Sequence, residues 1–550
     1  MPHNTPRIGS HLTRIITAVG LVAGALVFAA PAAQAINVVS VSAGAVHACV
    51  RTTAGVAKCW GFNAVGMVGD GTKVDRLTPR TVKGLKAGVK DVQAQWDHSC
   101  AVTNGGAVKC WGHNGDGELG DGSLIKRVTP VQVVGLTSGV KQVSLGFDSG
   151  CALKSVGTVW CWGYNGNGQL GTGDRRSQRT PVDTGLTGIT QISAGWDHTC
   201  GVTTGGGVKC WGQGKHGEIG DGAKSDRLSP VDVTGLGGTA VQVSAGFDQT
   251  CALLTGGTVK CWGNNTTGEL GDGTTTDSTH PVLVTGLSGV TSISAGYNHT
   301  CAVTSSGAAK CWGANESGEL GNGKTKSSPT PVTVYGSGSG VAQISAGGYK
   351  KAGMTCLVTK GGAVKCFGAN HGVHNLAPID STGGQLGDGT KIERLVPITV
   401  RTLTGGSPAH YRPDLLISRH SAAGYAGNGI YNASGAKQVR STSMARGGTK
   451  HFFVKLQNDS GKADTFFLIG PHTGKGFTIK YTSGGKVITR LVTKGTYFVS
   501  MPAGAQRIVA MTVSANKTTP SGSSRSLKLT VRSAGDSAKV DAVKANVKTR

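Results

Sequence analysis

The stretch HSCAVTNGGAVKCWGHNGDGELGDG, residues 98–122, holds two cysteines ten positions apart, a Gly-Gly turn between them and a Trp-Gly pair directly after the second. The same layout recurs along the chain. At a spacing of ten, Cys49 pairs with Cys59, Cys100 with Cys110, Cys151 with Cys161, Cys200 with Cys210, Cys251 with Cys261, Cys301 with Cys311 and Cys356 with Cys366, which uses all 14. Successive first members lie 51, 51, 49, 51, 50 and 55 residues apart. An aromatic and a glycine follow each second cysteine: Trp60, Trp111, Trp162, Trp211, Trp262, Trp312 and, as the variant, Phe367. A repeat of about fifty residues built from short β segments reads as a propeller blade, and seven copies make an ordinary ring. The expected fold class is all-β: a seven-bladed β-propeller followed by an immunoglobulin-like β-sandwich.

Within the second repeat, residues 89–94, 98–103, 107–112 and 129–133 read as four strands, with tight turns between them. The turn at position 105 sets Cys100 and Cys110 opposite each other. Opposed Cβ atoms in an antiparallel pair are about 4.5–5.5 Å apart and a disulfide needs about 3.5–4.5 Å, so a non-hydrogen-bonded pair accommodates the bridge. Metal ligation is the competing reading, but zinc sites favour closer CxxC-type spacing and a second cluster. Pro79, Pro130, Pro181, Pro230, Pro281, Pro331 and Pro397 fit the start of an edge strand, where a missing N–H matters least. The aromatic after the second cysteine and the Asn of W-G-x-N (Asn63, Asn114, Asn165, Asn265, Asn315 and Asn370, with Gly214 in the fourth repeat) read as structural.

Residues 1–35 read as a secretory signal: basic Arg7 and Arg14, an apolar run of 16 residues at 15–30, and an A-x-A site at Ala33-Gln34-Ala35. That run is shorter than the roughly 20 residues needed to span a bilayer. A released protein is expected, with a retained N-terminal anchor as the alternative. Export agrees with paired cysteines, because disulfides persist in oxidising surroundings. The 90 glycines in 550 residues and the absence of any long stretch with a period of 3.6 predict almost no helix after the signal.

The net charge of +26 is uneven. Residues 411–550 carry 22 Lys/Arg against 5 Asp/Glu, whereas residues 36–410 carry 31 against 24. The basic character points to an anionic contact at the C-terminal end, such as a cell-wall polymer, or to a cationic surface with no specific ligand. The expected layout is a signal at 1–35, a propeller at 36–404, a linker at 405–413 and a basic β-sandwich at 414–550. The sandwich reads as seven to nine antiparallel strands. Alternating runs fall at 451–457, 465–469, 477–481, 487–492, 497–501, 507–513 and 527–531.

The pattern G-x-x-H-x-C-A-V-x-x-x-G-x-V-x-C-W-G-x-N-x-x-G-E-L-G-D-G resembles the repeats of the regulator-of-chromosome-condensation family. It also resembles the secreted β-lactamase inhibitory protein II branch of that superfamily. The resemblance covers residues 36 to about 404. It implies a seven-bladed ring and a role as nucleotide-exchange factor, protein inhibitor or ligand-binding module, so it does not choose a partner.

The loop between the first and second strands carries a recurring pair: Trp96-Asp97, Phe147-Asp148, Trp196-Asp197, Phe247-Asp248 and Tyr297-Asn298. Repeats one and seven have Ala45-Val46 and Ala352-Gly353 instead. These ten residues are the binding candidates, and the inhibitory branch implies contact through aromatics at this loop position. Aromatics beside polar neighbours suit interface anchors; the competing reading is that the rings plug the mouth of the propeller. Insertions near residues 348–353 and 371–382 fall on the same face. The histidines two before the first cysteine (His47, His98, His198 and His299) read as structural. The sequence has no G-x-S-x-G, no H-E-x-x-H and no spare thiol. No catalytic residue, metal site or cofactor is therefore assigned. The expected function is a secreted, monomeric, non-catalytic module that binds an extracellular protein or glycan, in its sharpest form an enzyme inhibitor. The alternatives are an exchange-factor-like regulator and an extracellular hydrolase working through a pair such as Asp97 and Asp148.

Overall fold

The computed structural model describes residues 37–349, 352–371, 383–401, 413–418, 439–458, 464–474, 476–502, 505–534 and 540–550. The expected signal at 1–35, nearly all of the linker and most of the insertion at 371–382 lie outside the described residues.

Seven four-stranded antiparallel sheets follow one another, each made from one contiguous segment with its strands in sequence order. Blade two runs Val89–Ala94, His98–Thr103, Val108–Gly112 and Arg127–Gln132. Cys100 stands opposite Cys110 in register and is bridged to it. The other six bridges repeat this arrangement between the second and third strands of their own blades. Cys49 is joined to Cys59, Cys151 to Cys161 and Cys200 to Cys210. Cys251 is joined to Cys261, Cys301 to Cys311 and Cys356 to Cys366. In all seven the Cα atoms lie 4.0–4.1 Å apart, and no cysteine is free to hold a metal. Each bridge closes a two-strand hairpin that is marginal by itself.

The prolines sit on the outer strands, but not at their starts. Pro130 is the fourth residue of its strand, in the interval where the register slips between the pairs Cys110↔Val131 and Gly112↔Arg127. The break in the ladder leaves no partner for the proline to disappoint.

Blades pack through the tryptophan after the second cysteine, which is fully buried in all six cases. Its indole N–H donates to a carbonyl of the preceding blade: Trp111 to Met67, Trp162 to Glu118, Trp211 to Gln169, Trp262 to Glu218, Trp312 to Glu269 and Trp60 to Gln385, at 2.7–2.9 Å. The last of these joins blade seven to blade one. Around the central channel, six serine hydroxyls accept the backbone N–H of an alanine in the next blade, among them Ser345 from Ala43 at 3.0 Å. The ring therefore closes without exchanging a strand.

The W-G-x-N asparagines are structural, as expected. Asn114 donates to the carbonyls of Ser123 and Ile125 and accepts from the N–H of Leu119, which shapes the loop after the third strand. Three of the four repeated histidines reach across to a hydroxyl in the next blade: His47 to Ser99, His198 to Thr250 and His299 to Thr355, at 2.7–2.8 Å. His98 cannot, because blade three has Gly150 where blades two, five and seven offer Ser99, Thr250 and Thr355. Both of its ring nitrogens are buried without a partner.

Among the described residues the C-terminal sandwich has ten strands in two five-stranded sheets, more than the seven to nine expected. Strands Pro413–Ser418, Val439–Met444 and Val540–Thr549 escape the sequence pattern. Val439–Met444 buries only Met444, and Val540–Thr549 turns only Ala and Val among its apolar residues inward. The sandwich is not wholly antiparallel, because Val439–Met444 pairs in parallel with Val540–Thr549. The run at 487–492 is not a strand either. It becomes a two-residue strand, Lys486–Val487, and a short helix, Thr489–Thr493. Ile488 and Val492 are both buried, and their spacing of four is a helical one.

The sandwich docks on the outer edge of the propeller. Val396 and Ile398 of blade seven's outer strand, Arg394–Thr399, pack with Phe467, Phe498 and Ala534. The guanidinium of Arg394 lies 4.6 Å from the centroid of Phe467 and pairs with buried Asp388 at 2.6 Å.

Candidate binding site

The five aromatics stand on the loop between the first and second strands of blades two to six. They converge over one mouth of the channel. Phe147 stacks on Trp196 at 3.9 Å and Phe247 on Tyr297 at 4.0 Å. Trp196 is central, touching Trp96, Phe247 and Tyr297 at 5.0–5.5 Å. A sixth ring, Tyr349, lies 4.1 Å from Trp96 and stacks on Trp196 at 5.4 Å. Sequence reasoning missed it because blade seven's hairpin is longer: Val341–Tyr349 pairs with Ala352–Thr359 as far as Tyr349↔Ala352. The aromatic therefore sits outside the register of the other repeats. In blade one, Phe62 and Met67 fill the gap left by Ala45 and Val46 and pack against Trp96 and Tyr349.

All six rings are half-buried. Beneath them the channel is polar, lined by Ser42, Ser144, Ser193, Ser244, Ser294 and Ser345. The rings therefore cap the channel, one of the two readings weighed from the sequence, and none of the six is fully buried.

Acids collect around this cap. Asp97, Asp148, Asp197 and Asp248 follow the rings in sequence, and the glycine-rich loops bring buried Glu118, Glu218, Glu269 and Glu319 onto the same rim. Burial pushes Asp148 up to about 8, helped by the charges of Asp97, Glu118 and Asp116. Burial, with the neighbouring Asp197 charge, raises Asp248 to about 7. Burial likewise raises Glu218 and Glu319 to about 7 and Asp197 to about 6. Asn298, the neutral member of the set, is half-buried.

In blade four, the amide of Gln213 donates to Asp248 at 2.8 Å and to Glu218 at 3.1 Å, bridging two carboxylates. In blade two the same position is His113, whose Nδ1–H donates to Glu118 Oε1. That hydrogen bond raises His113, against its burial and with help from Asp97. Burial alone would push Glu118 up, but the bond from His113 holds it below its ordinary value. Glu118 and its equivalents were not singled out from the sequence, because GELGDG reads as a turn. The one available signal was His113, the only histidine at x of W-G-x-N.

A family model described as the RCC1-like domain matches residues 19–353. The chain belongs to that family. The propeller is 32% identical over 259 residues to the ultraviolet-B receptor UVR8 of Arabidopsis thaliana, covering 46% of this chain and 48% of that protein. It is 34% identical over 144 residues to the probable E3 ubiquitin-protein ligase HERC4 of mouse, covering 26% and 14%. The chain thus spans about half, or less, of the length of these relatives. Among solved structures, Prp20p of Saccharomyces cerevisiae aligns with a TM-score of 0.50 at 22% identity, over 56% of this chain and 80% of that one. Human WBSCR16 aligns with a TM-score of 0.52 at 22% identity, over 57% and 85%. At that identity the likeness concerns the fold, an RCC1-like propeller, which here carries a disulfide in every blade. Seven disulfides are the chemistry of an oxidising environment. No helix among the described residues is long and apolar enough to cross a membrane.

Proposed function

We propose that this chain is a secreted binding propeller with no chemistry of its own, and that its capped rim docks an extracellular partner. The observation that carries the reading is the convergence of six half-exposed rings inside a crescent of carboxylates. Clustered aromatics are the usual anchors of protein interfaces, and rings beside acids favour Lys- or Arg-bearing surfaces. A protein suits the rim better than a glycan. Sugars lie on open ring faces, and here Phe147, Trp196, Phe247, Tyr297 and Tyr349 use theirs on one another. Inhibition of an extracellular enzyme is the sharpest form of this role. The basic sandwich attaches the monomeric chain to an anionic surface such as a cell-wall polymer.

The exchange-factor reading requires a partner in a reducing compartment, which seven disulfides disfavour. The test is recovery of partners from culture supernatant and surface extracts by the full-length protein and by a double variant carrying Trp96→Ala and Trp196→Ala. Loss of a specific partner in the variant supports the rim, and unchanged recovery discards it. Retention of the full-length protein on isolated cell walls, lost at high salt, is expected for the sandwich.

A further inference from the structure

The rim of blade two gathers Asp97, His113 and Glu118 with Asp148 of blade three. One ligand atom from each lies within 4.8 Å of every other. That span matches the separations around a single ion bound at about 2.0–2.4 Å. We propose that these four side chains form a binding site for a divalent first-row metal ion, with Zn2+ as the probe. One imidazole with three carboxylates suits such ions better than Ca2+ or Mg2+, which are served by oxygen alone.

Acidic side chains often crowd together without binding anything, so the case rests on what distinguishes this cluster. Asp97 is 9% exposed, and its Oδ1 is buried with no hydrogen-bond partner. His98 Nδ1, also buried and unpartnered, stands 3.9 Å from that oxygen, too far for a hydrogen bond. A buried carboxylate oxygen without a donor is unfavourable unless something cationic meets it. His113 Nδ1 faces both Glu118, to which it is hydrogen-bonded, and Asp97 Oδ2 at 3.5 Å, and a metal ion taking this nitrogen would displace the proton that now links it to Glu118. Asp116 adds a further negative charge nearby.

Blade four provides an internal control. Asp197, Gln213, Glu218 and Asp248 occupy the equivalent four positions. There the two N–H groups of the Gln213 amide bridge Glu218 and Asp248, which a metal ligand could not do. The other blades carry Phe62, Tyr164, Asn264, Ala314 and Ala369 at the His113 position, so a histidine stands there only in blade two; His216 of blade four approaches Asp248 at 3.8 Å from a different position, beside the Gln213 bridge. A metal there would tie the Trp96 loop of blade two to the Phe147 loop of blade three. It would also reach solvent past His113, whose side chain is 23% exposed.

The inference depends on the rim's geometry and not on its docking role. The test accordingly uses the full-length protein alone, stripped with EDTA and titrated calorimetrically with Zn2+, Mn2+, Ca2+ and Mg2+. One equivalent of Zn2+ is expected, bound at least tenfold more tightly than Ca2+ or Mg2+. His113→Gln copies blade four and should fold; it is expected to weaken Zn2+ binding at least tenfold, as is Asp148→Asn. Gln213→His places the blade-two set in blade four and is expected to raise the stoichiometry from one to two. Bound Co2+ should show a visible absorption band that His113→Gln removes. The assignment is overturned if the wild type takes up no Zn2+ at millimolar concentration. It is equally overturned if Zn2+ binds with unchanged affinity to both His113→Gln and Asp148→Asn, or if Ca2+ is preferred.

Discussion

The propeller and the sandwich are both all-β, yet they are held together in opposite ways. Each blade-to-blade contact has its own small apolar cluster, such as Cys100, Val102, Val108, Leu119, Val143 and Trp162 between blades two and three. A disulfide closes the central hairpin of every blade, as Cys100 and Cys110 do in blade two. The sandwich has no cysteine and one continuous core that runs from Ile417 to Val547 and draws on both sheets. Stability in the propeller is therefore a sum of neighbour terms, as in other repeat proteins, whereas in the sandwich it is collective.

The largest expected effect is in the collective core. Phe452 is fully buried there, and Phe452→Ala should destabilise the sandwich by about 3–5 kcal/mol. Calorimetry should then show an early transition for the sandwich and an unmoved one for the propeller. A single concerted shift of both would refute the contrast. Next is the double substitution Cys200→Ser with Cys210→Ser, which removes one staple of a short loop, worth about 2–3 kcal/mol. Hydrogen exchange should quicken in blade four and at its two interfaces, leaving blades one and seven as they were. Acceleration all around the ring would mean that the neighbour description is wrong.

A smaller effect concerns pH. Asp148, Asp197, Glu218, Asp248 and Glu319 keep their protons to about 6–8 when folded, against about 4 when unfolded. The stability this gives is complete below about pH 4 and is lost as pH rises through 6–8. Burial lowers His47 and His198 to about 3 and His299 to about 4. Their contribution is complete above about 6.5 and is lost as pH falls through 3–4. Above pH 6.5 these three buried histidines are silent, and His113, held above its ordinary value by Glu118, loses its contribution in the same direction as the acids, so the melting temperature of the propeller should fall between pH 6.5 and 8.5, while the sandwich lacks this rim. The smallest effect is at the seam. Tyr335→Phe removes a hydroxyl that donates to Ser500 at 3.3 Å and leaves the ring against Phe498. Both transitions should move by less than about 1 kcal/mol.

The same contrast explains what was legible in the sequence. A cysteine pair every fifty residues marks register directly, so the central hairpins, the blade number and the bridges could be read from the spacing of Cys100 and Cys110 and its six recurrences. The sandwich has no such marker. Strands such as Val439–Met444, with mostly polar side chains, are defined by the partner they pair with and not by their own pattern. At the rim, the sequence identified five of the six aromatics and the aspartates beside them, but not Tyr349, the buried glutamates or the meeting of these groups. Trp96 and Trp196 are a hundred positions apart, and only the tilt of each loop toward the axis brings their rings to 5.5 Å. The group of Asp97, His113, Glu118 and Asp148 draws on three loops in two blades, which no linear motif spans.

No blade borrows a strand from another, and the junction between Trp60 and Gln385 is chemically the same as the other five tryptophan contacts. The circle therefore has no privileged origin. A circular permutant that begins at the turn between blades three and four would re-form every sheet, every bridge and every belt of serine contacts. Its birthplace on the ribosome would be the only thing changed, and the order in which its blades are made would no longer match the order in which they sit.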